Sequence, residues 1–274
     1  MKPSTLAIAA ILALAAGGSA SAQEIPAWTG FYAGGHLGYG FQRNDSDETI
    51  LFDKDLNGAF NDTVTTAAGA NAFSTGFCGG RANSGLAAAG CDKDDEGFEI
   101  GLRLGYDVQF GGLVLGAVGE LAKLNVADGA TAFSTTPASY TFRRDADWLV
   151  AARLRAGYAM GDFLPYVTGG YARAKVDHSF TTTNAVNTFV PRDGGKISGF
   201  QFGGGLERRI GPNLTLGVEY LYTRLDDDKY TVRVQGPAPA TNPFILTNAQ
   251  GTDMRRSDDK FAFQAVRLTA AYRF

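Results

Sequence analysis

Histidine and cysteine are scarce: the 274 residues hold two of each. That scarcity excludes zinc ribbons, iron–sulfur centres and disulfide-dense miniature folds. An excess of one charge is also missing. Basic residues number 25 and acidic residues 28, a formal net charge of −3, which excludes a nucleic-acid binder that neutralises many phosphates. Past the N-terminal segment no window holds 18 apolar residues, so no transmembrane helix is written into the chain. Glycine, by contrast, is abundant: its 36 residues are about 13% of the chain against a usual ~7%. Aromatic residues add 12%. Glycine and aromatics at low charge density favour β structure.

Residues 1–22 read as a secretory signal. Lys2 supplies a positive start, Leu6 to Ala16 an apolar core, and Ala20-Ser21-Ala22 a small-x-small cleavage site before Gln23. The apolar run falls short of the ~20 residues that a spanning helix needs, so removal is expected rather than a retained anchor. The domain expected to fold is 23–274, in an oxidising compartment where disulfides persist.

Period-two alternation dominates the rest. From Phe98 to Phe110 every even position is apolar and every odd one is charged, polar or glycine. The pattern returns over Trp148–Met160, Phe200–Ile210, Leu214–Tyr222 and Val266–Phe274. With runs near 29–41, 113–124 and 163–176, eight strands are expected, each supplying the ~9–11 residues of a tilted membrane strand. A large unbroken apolar face opposite a face of glycine and charge is the pattern of a barrel with lipid outside and a polar lumen.

Connections alternate in length. Gly111-Gly112, Gly161-Asp162 and Gly211-Pro212-Asn213 are tight turns. The stretches near 42–95, 125–146, 177–196 and 225–260 read as long polar loops. Short turns on one side and long loops on the other are expected of an outer-membrane barrel with periplasmic turns and extracellular loops. An even strand count puts both termini on the periplasmic side, and closure removes the sheet edges. A two-residue turn at Gly161-Asp162 places Phe163, Val167 and Tyr171 toward lipid; a three-residue turn inverts them.

Trp28-Thr29-Gly30-Phe31-Tyr32-Ala33-Gly34-Gly35-His36-Leu37-Gly38-Tyr39-Gly40 resembles the opening strand of the small outer-membrane surface proteins of alphaproteobacteria, within the opacity-protein-like and OmpA-like barrel group. Arg267 to Phe274 resembles their closing strand. Terminal Phe274, with Tyr272 two places before it, resembles the signal read by the barrel-assembly machinery. The resemblance implies envelope integrity, surface antigenicity or modest pore activity. It also implies outer-membrane lipid and lipopolysaccharide as surroundings. No cofactor and no nucleic-acid partner are expected, and no surface ligand is identified.

The inward positions collect Glu99, Arg103, Asp107, Glu120, Arg153, Arg155, Glu207, Arg209, Glu219, Arg267 and Arg273, five acids against six bases. His36 is expected to face inward with them. A two-residue hairpin at Gly111-Gly112 places Arg103 opposite Glu120, where opposite charges pair favourably. An eight-stranded barrel is just wide enough for side chains to fill, so a plugged structural barrel is expected, with a narrow ion-conducting pore as the alternative.

Cys78 and Cys91, separated by 12 intervening residues in the first long loop, are expected to form a disulfide. Asp53-Lys54-Asp55-Leu56-Asn57-Gly58 matches the first half of a calcium loop. Asp53, Asp55, Asn57 and Asp62 are the candidate ligands, but Val64 stands at position twelve, where a bidentate glutamate belongs. A solvated acidic turn is the competing reading. Asp177-His178-Ser179 suggests a catalytic triad, yet adjacent strand residues point to opposite faces, and the His-x-Ser of outer-membrane lipid A deacylases is missing. The expected protein is therefore no enzyme but an outer-membrane barrel with a structural and surface role. A small porin is the alternative, and a lipid-modifying enzyme a distant one.

Overall fold

The computed structural model describes residues 28–42, 47–192, 196–227 and 229–274. The secretory signal expected over 1–22 lies outside them. Eight strands form the wall: β1 (Gly30–Phe41), β2 (Gly97–Phe110), β3 (Leu113–Ser134), β4 (Ala138–Tyr158), β5 (Phe163–Thr182), β6 (Ile197–Ile210), β7 (Leu214–Asp226) and β8 (Lys260–Arg273). Each pairs antiparallel with its chain neighbour, and β8 pairs with β1 from Phe41↔Gln264 to Tyr32↔Arg273. The ring is thus a closed up-and-down barrel, and no α-helix occurs among the described residues.

Outward positions form an apolar band. Phe98, Ile100, Leu102, Leu104 and Tyr106 on β2 point away from the interior, with Phe98 78% exposed. On β5 the band runs from Phe163 to Tyr171, and on β7 from Leu214 to Tyr222. Nine residues at about 3.3 Å each, tilted by roughly 40°, match an apolar belt about 25 Å tall. Met160 bridges Phe163, so the Gly161-Asp162 turn is the two-residue form and Phe163, Val167 and Tyr171 face outward.

The segment 125–146, expected as a long polar loop, is instead continuous strand. β3 and β4 run past the apolar band for about ten residues each and turn only at Thr135-Thr136-Pro137. The reason is a change of register: Lys123↔Trp148 is followed by Val126↔Ala146. Against β5 the register steps from Trp148↔Lys175 to Ala146↔Val176, so β4 carries one residue more than β5, and its inward set shifts from Leu149, Ala151 and Arg153 to Ala146, Arg144 and Phe142. A bulge that flips side-chain parity breaks the alternation by which a strand is read. The expected loops 42–95, 177–196 and 225–260 likewise contain strand. Thr188–Arg192, Thr231–Gln235, Thr252–Arg256 and Ile50–Asp53 pair in that order into a four-stranded cap.

Polarity inverts along the barrel axis. Inside the apolar band the inward face is charged. Beyond it, Leu124, Leu149, Val176, Leu225, Phe261 and Phe263 fill the interior. Beyond those, Phe52, Phe73, Tyr140, Phe142, Val232 and Met254 join barrel extension to cap in a second core. Where the outside is apolar the inside is polar. Where the strands leave the band, the inside becomes an ordinary apolar core.

Glycines on one strand make room for rings on the next. A Cβ at Gly105 would fall 2.3 Å from the Tyr32 ring and 2.7 Å from the Ala117 carbonyl oxygen. Gly105→Ala is therefore expected to lower barrel stability by about 1–3 kcal/mol, read as an earlier urea midpoint in detergent. A midpoint unchanged from the parent would show that the ring can leave the wall freely.

Candidate functional site

The lumen is closed first at the short-turn end. Trp28, 0% exposed, folds across the mouth; its backbone N–H donates to Gln109 Oε1 at 3.0 Å and its backbone carbonyl accepts from Arg273 Nη1 at 2.8 Å. The Arg273 guanidinium stands 4.9 Å from the Trp28 ring. Arg209, half-buried at this mouth, lies 3.4 Å from Asp162 and 6.0 Å from the same ring.

Above Trp28 the charged side chains interlock. Arg155 donates to both Asp107 oxygens at 2.8 Å and to Glu207 at 2.9 Å. Its guanidinium lies between the Tyr32 and Tyr166 rings at 5.0 and 4.8 Å. Arg153 donates to Glu120 at 2.8 Å and reaches Glu219 at 3.4 Å. Arg267 holds Glu120 at 2.6 Å, Glu219 at 3.6 Å, and Glu99. His36 Nε2 lies 3.4 Å from Glu99, and Tyr166 donates to Glu219 at 2.9 Å. Five carboxylates (Glu99, Asp107, Glu120, Glu207, Glu219) and five arginines (Arg103, Arg153, Arg155, Arg267, Arg273) are all buried here, so the cluster is formally neutral.

One expected pair is not made. Arg103 does stand opposite Glu120 in the β2–β3 ladder, but its guanidinium crosses the lumen to Glu219 at 3.6 Å and Glu207 at 3.9 Å. Glu120 turns instead to Arg153 and Arg267. In so narrow a tube a long side chain reaches the far wall as easily as its ladder neighbour, so register alone does not choose partners. Burying unpaired charge is costly, whereas removing one member of a formed buried pair typically costs about 3–5 kcal/mol.

A second charged cluster, missed by the sequence reading, joins the barrel extension to the cap. Arg144 donates to Asp128 at 2.9 Å and to the Lys260 carbonyl at 2.7 Å, and lies 3.4 Å from Asp227. Arg256, on the cap sheet, holds Glu48 at 2.6 Å and also Asp128. Burial pushes the Asp128 carboxyl up, but Arg144 and Arg256 together hold it below its ordinary value. Asp94, which accepts from the Gly129 N–H at 2.9 Å, is pushed up to about 6 by burial, with Asp128 adding to the rise. Burial raises Glu48 as well, against Arg256. The signal was present in sequence as the facing pair Asp128 and Arg144, but the parity shift hid it.

The remaining candidates lie apart from the lumen. Cys78 and Cys91 are disulfide-bonded, tying the short Arg81–Ala82/Cys91–Asp92 hairpin to the Phe77–Gly79 strand beside β3. The Asp53, Asp55 and Asp62 carboxylates converge within 4.8 Å. Asp53 accepts from the Asn57 and Gly58 N–H groups, Asp62 from the Lys54 N–H, and Asn57 Oδ1 from the Ala59 N–H. Val64, at position twelve, is 1% exposed in the cap core, so the second half of a calcium loop is not built there. His178 points inward, 2.9 Å from Asp227 and stacked on Tyr230, while Ser179 faces out. Tyr272 and Phe274 face outward with their rings 5.2 Å apart, and the Phe274 N–H donates to the Phe31 carbonyl at 2.9 Å.

Residues 10–274 match the family described as outer membrane protein beta-barrel domain. A 31 kDa outer-membrane immunogenic protein of Brucella melitensis is 28% identical over 178 residues, covering 60% of this chain and 73% of the relative. Among solved structures, the outer membrane protein OprG of Pseudomonas aeruginosa aligns at TM-score 0.48 and 12% identity, over 90% of this chain and 96% of its own. The outer membrane protease OmpT of Escherichia coli aligns at TM-score 0.39 and 12% identity, over 89% and 97%.

Two outcomes follow from the clusters. In double-mutant cycles followed by urea unfolding, Glu120→Gln and Arg267→Gln are expected to couple by about 1–3 kcal/mol. Glu120→Gln and Arg103→Gln are expected to couple by less than about 0.5 kcal/mol; the reverse order would restore the ladder pair. In the cap, the folded state binds the Asp94 proton more tightly than the unfolded chain does, with a pKa of about 6 against 3.8. Stability therefore rises as pH falls through that window, and Glu48 acts with the same sign. Asp128, held low, acts oppositely and withdraws stability only at still lower pH. The cap thermal midpoint, followed by near-ultraviolet circular dichroism, should rise between pH 7 and 5, and Asp94→Asn should flatten that rise.

Proposed function

The chain belongs to the outer membrane protein β-barrel domain family, and we propose that it is a closed, non-catalytic barrel with a structural and surface role. The observation that carries this reading is the filled interior. Trp28 covers one mouth, ten buried carboxylate and arginine side chains fill the middle, and Phe261, Phe263, Leu149 and Leu225 fill the far end. An eight-stranded wall leaves no more room than its side chains occupy. The rival reading, a small porin, would require all three layers to part.

The short turns and both termini lie on the periplasmic side in this reading, and the extended end with its cap and disulfide lies outside the cell. Oxidising conditions there suit the Cys78–Cys91 bond. The Brucella relatives are by name outer-membrane immunogenic proteins, and a surface-exposed cap fits the same role here. Phe274 and Tyr272, outward at the end of β8, serve as the assembly signal. Against catalysis stands the separation of His178 from Ser179 on opposite faces, since nucleophilic catalysis needs nucleophile and base within hydrogen-bond reach.

Planar-bilayer conductance of the refolded protein with its disulfide intact tests the reading. Protein shown to be folded is expected to give no discrete steps; reproducible steps would overturn the closed lumen in favour of the porin.

A further inference from the structure

The outward face changes character where the apolar band ends at the extended side. On β5 the sequence of outward residues is Phe163, Val167, Tyr171, then Arg173 and Lys175; on β7 it is Leu214 to Tyr222, then Arg224 and Asp226. Lys123 and Lys260 stand at the same level on β3 and β8. These three lysines are neutralised. Lys175 lies 3.1 Å from Asp177 and 3.4 Å from Asp147, Lys123 lies 4.0 Å from Asp147, and Lys260 lies 2.9 Å from Asp226.

The two arginines differ. Arg173 and Arg224 are exposed, and neither makes an ion pair or side-chain hydrogen bond among the described residues. They flank β6 from either side: Arg173 is paired in register with Ser198, and Arg224 with Phe200. The carboxylate nearest along this row, Asp226 opposite Ser198, is already held by Lys260. Directly below lie the outward aromatic rings of Tyr171, Phe200 and Tyr222, with Phe202 and Tyr222 5.1 Å apart. Arg173 thus stands beside Ser198 in the ladder and Arg224 diagonally from it, one step nearer the band, at the boundary between an aromatic belt and a polar zone.

We propose that Arg173 and Arg224, with Ser198 on the strand between theirs, bind a phosphate group of an outer-leaflet glycolipid whose acyl chains lie against the Phe200, Phe202 and Tyr222 face. Arginine forks match phosphate oxygens in a way that the paired lysines do not. Aromatic side chains at this depth suit the interface between acyl chain and headgroup. The site rests on the outer-leaflet placement of the extended end given above.

The test titrates the refolded, disulfide-intact protein in detergent micelles with bisphosphorylated lipid A and reads binding by native mass spectrometry. The parent is expected to bind it at least tenfold more tightly than Arg173→Gln/Arg224→Gln. It should also bind phosphorylated lipid A tenfold more tightly than the dephosphorylated form. Lys123→Gln/Lys175→Gln should change affinity less than threefold, and Arg173→Lys/Arg224→Lys should recover part of the loss. Heat-modified gel mobility checks that each variant is folded. Equal affinity of the parent and the double arginine variant would overturn the proposal. So would complete displacement of the lipid by millimolar inorganic phosphate, which would assign a free anion instead. Discrete conductance would overturn the closed lumen without touching this site, and loss of the phosphate dependence would overturn the site without touching the lumen.

Discussion

Ten ionised side chains buried in a tube with a lipid-facing wall must neutralise one another, and much of this molecule follows from that requirement. Each carboxylate in the lumen has an arginine and most arginines have two carboxylates, so the network is shared rather than pairwise. Tyr32 and Tyr166 lie flat beside Arg155, and glycines on adjacent strands make the room for them. A mesh of this kind is costly to break at any one point. It also underlies the closed-barrel reading proposed above, because the groups that would attract water are bound to each other.

The band of lipid-facing residues ends, but the barrel does not. Beyond the bulge at Lys123 and Trp148 the strands carry on with the opposite polarity, apolar within and charged without. A four-stranded sheet drawn from three separate connections then closes the top. Arg144 and Arg256 stitch that sheet to the wall through Asp128. The acid response of the cap is set by this cluster, where Asp94 and Glu48 take up protons more readily than their unfolded forms and Asp128 less so. The capped end of the barrel is therefore a folded unit with its own core and not a set of independent loops.

Boundary residues carry a different kind of information. Aspartates neutralise Lys123, Lys175 and Lys260 near the upper rim, whereas Arg173 and Arg224 on the β5–β6–β7 face make no ion pair among the described residues. In sequence they look no different from Lys175 or Lys260. Only the ladder shows which cations have a carboxylate within reach. The same holds in the lumen, where Arg103 looked like the partner of Glu120 and in fact crosses to Glu219 and Glu207.

The sequence by itself determined the strand count, the tight turns and the set of inward charges, but left the facing of β5 after Gly161-Asp162 open until the Met160–Phe163 bridge decided it. Each of these depends on period-two alternation or on turn chemistry, and both act between near neighbours in the chain. It also marked Cys78 and Cys91 as the available disulfide. Tertiary structure alone decided which charge meets which, because long side chains in a narrow lumen choose among all eight strands. It alone placed Trp28 across the mouth, and it alone revealed strand in 125–146, where a bulge reverses side-chain parity. The cap, too, became visible only in three dimensions, since its strands come from segments up to about two hundred residues apart and their pairing is written in no local pattern.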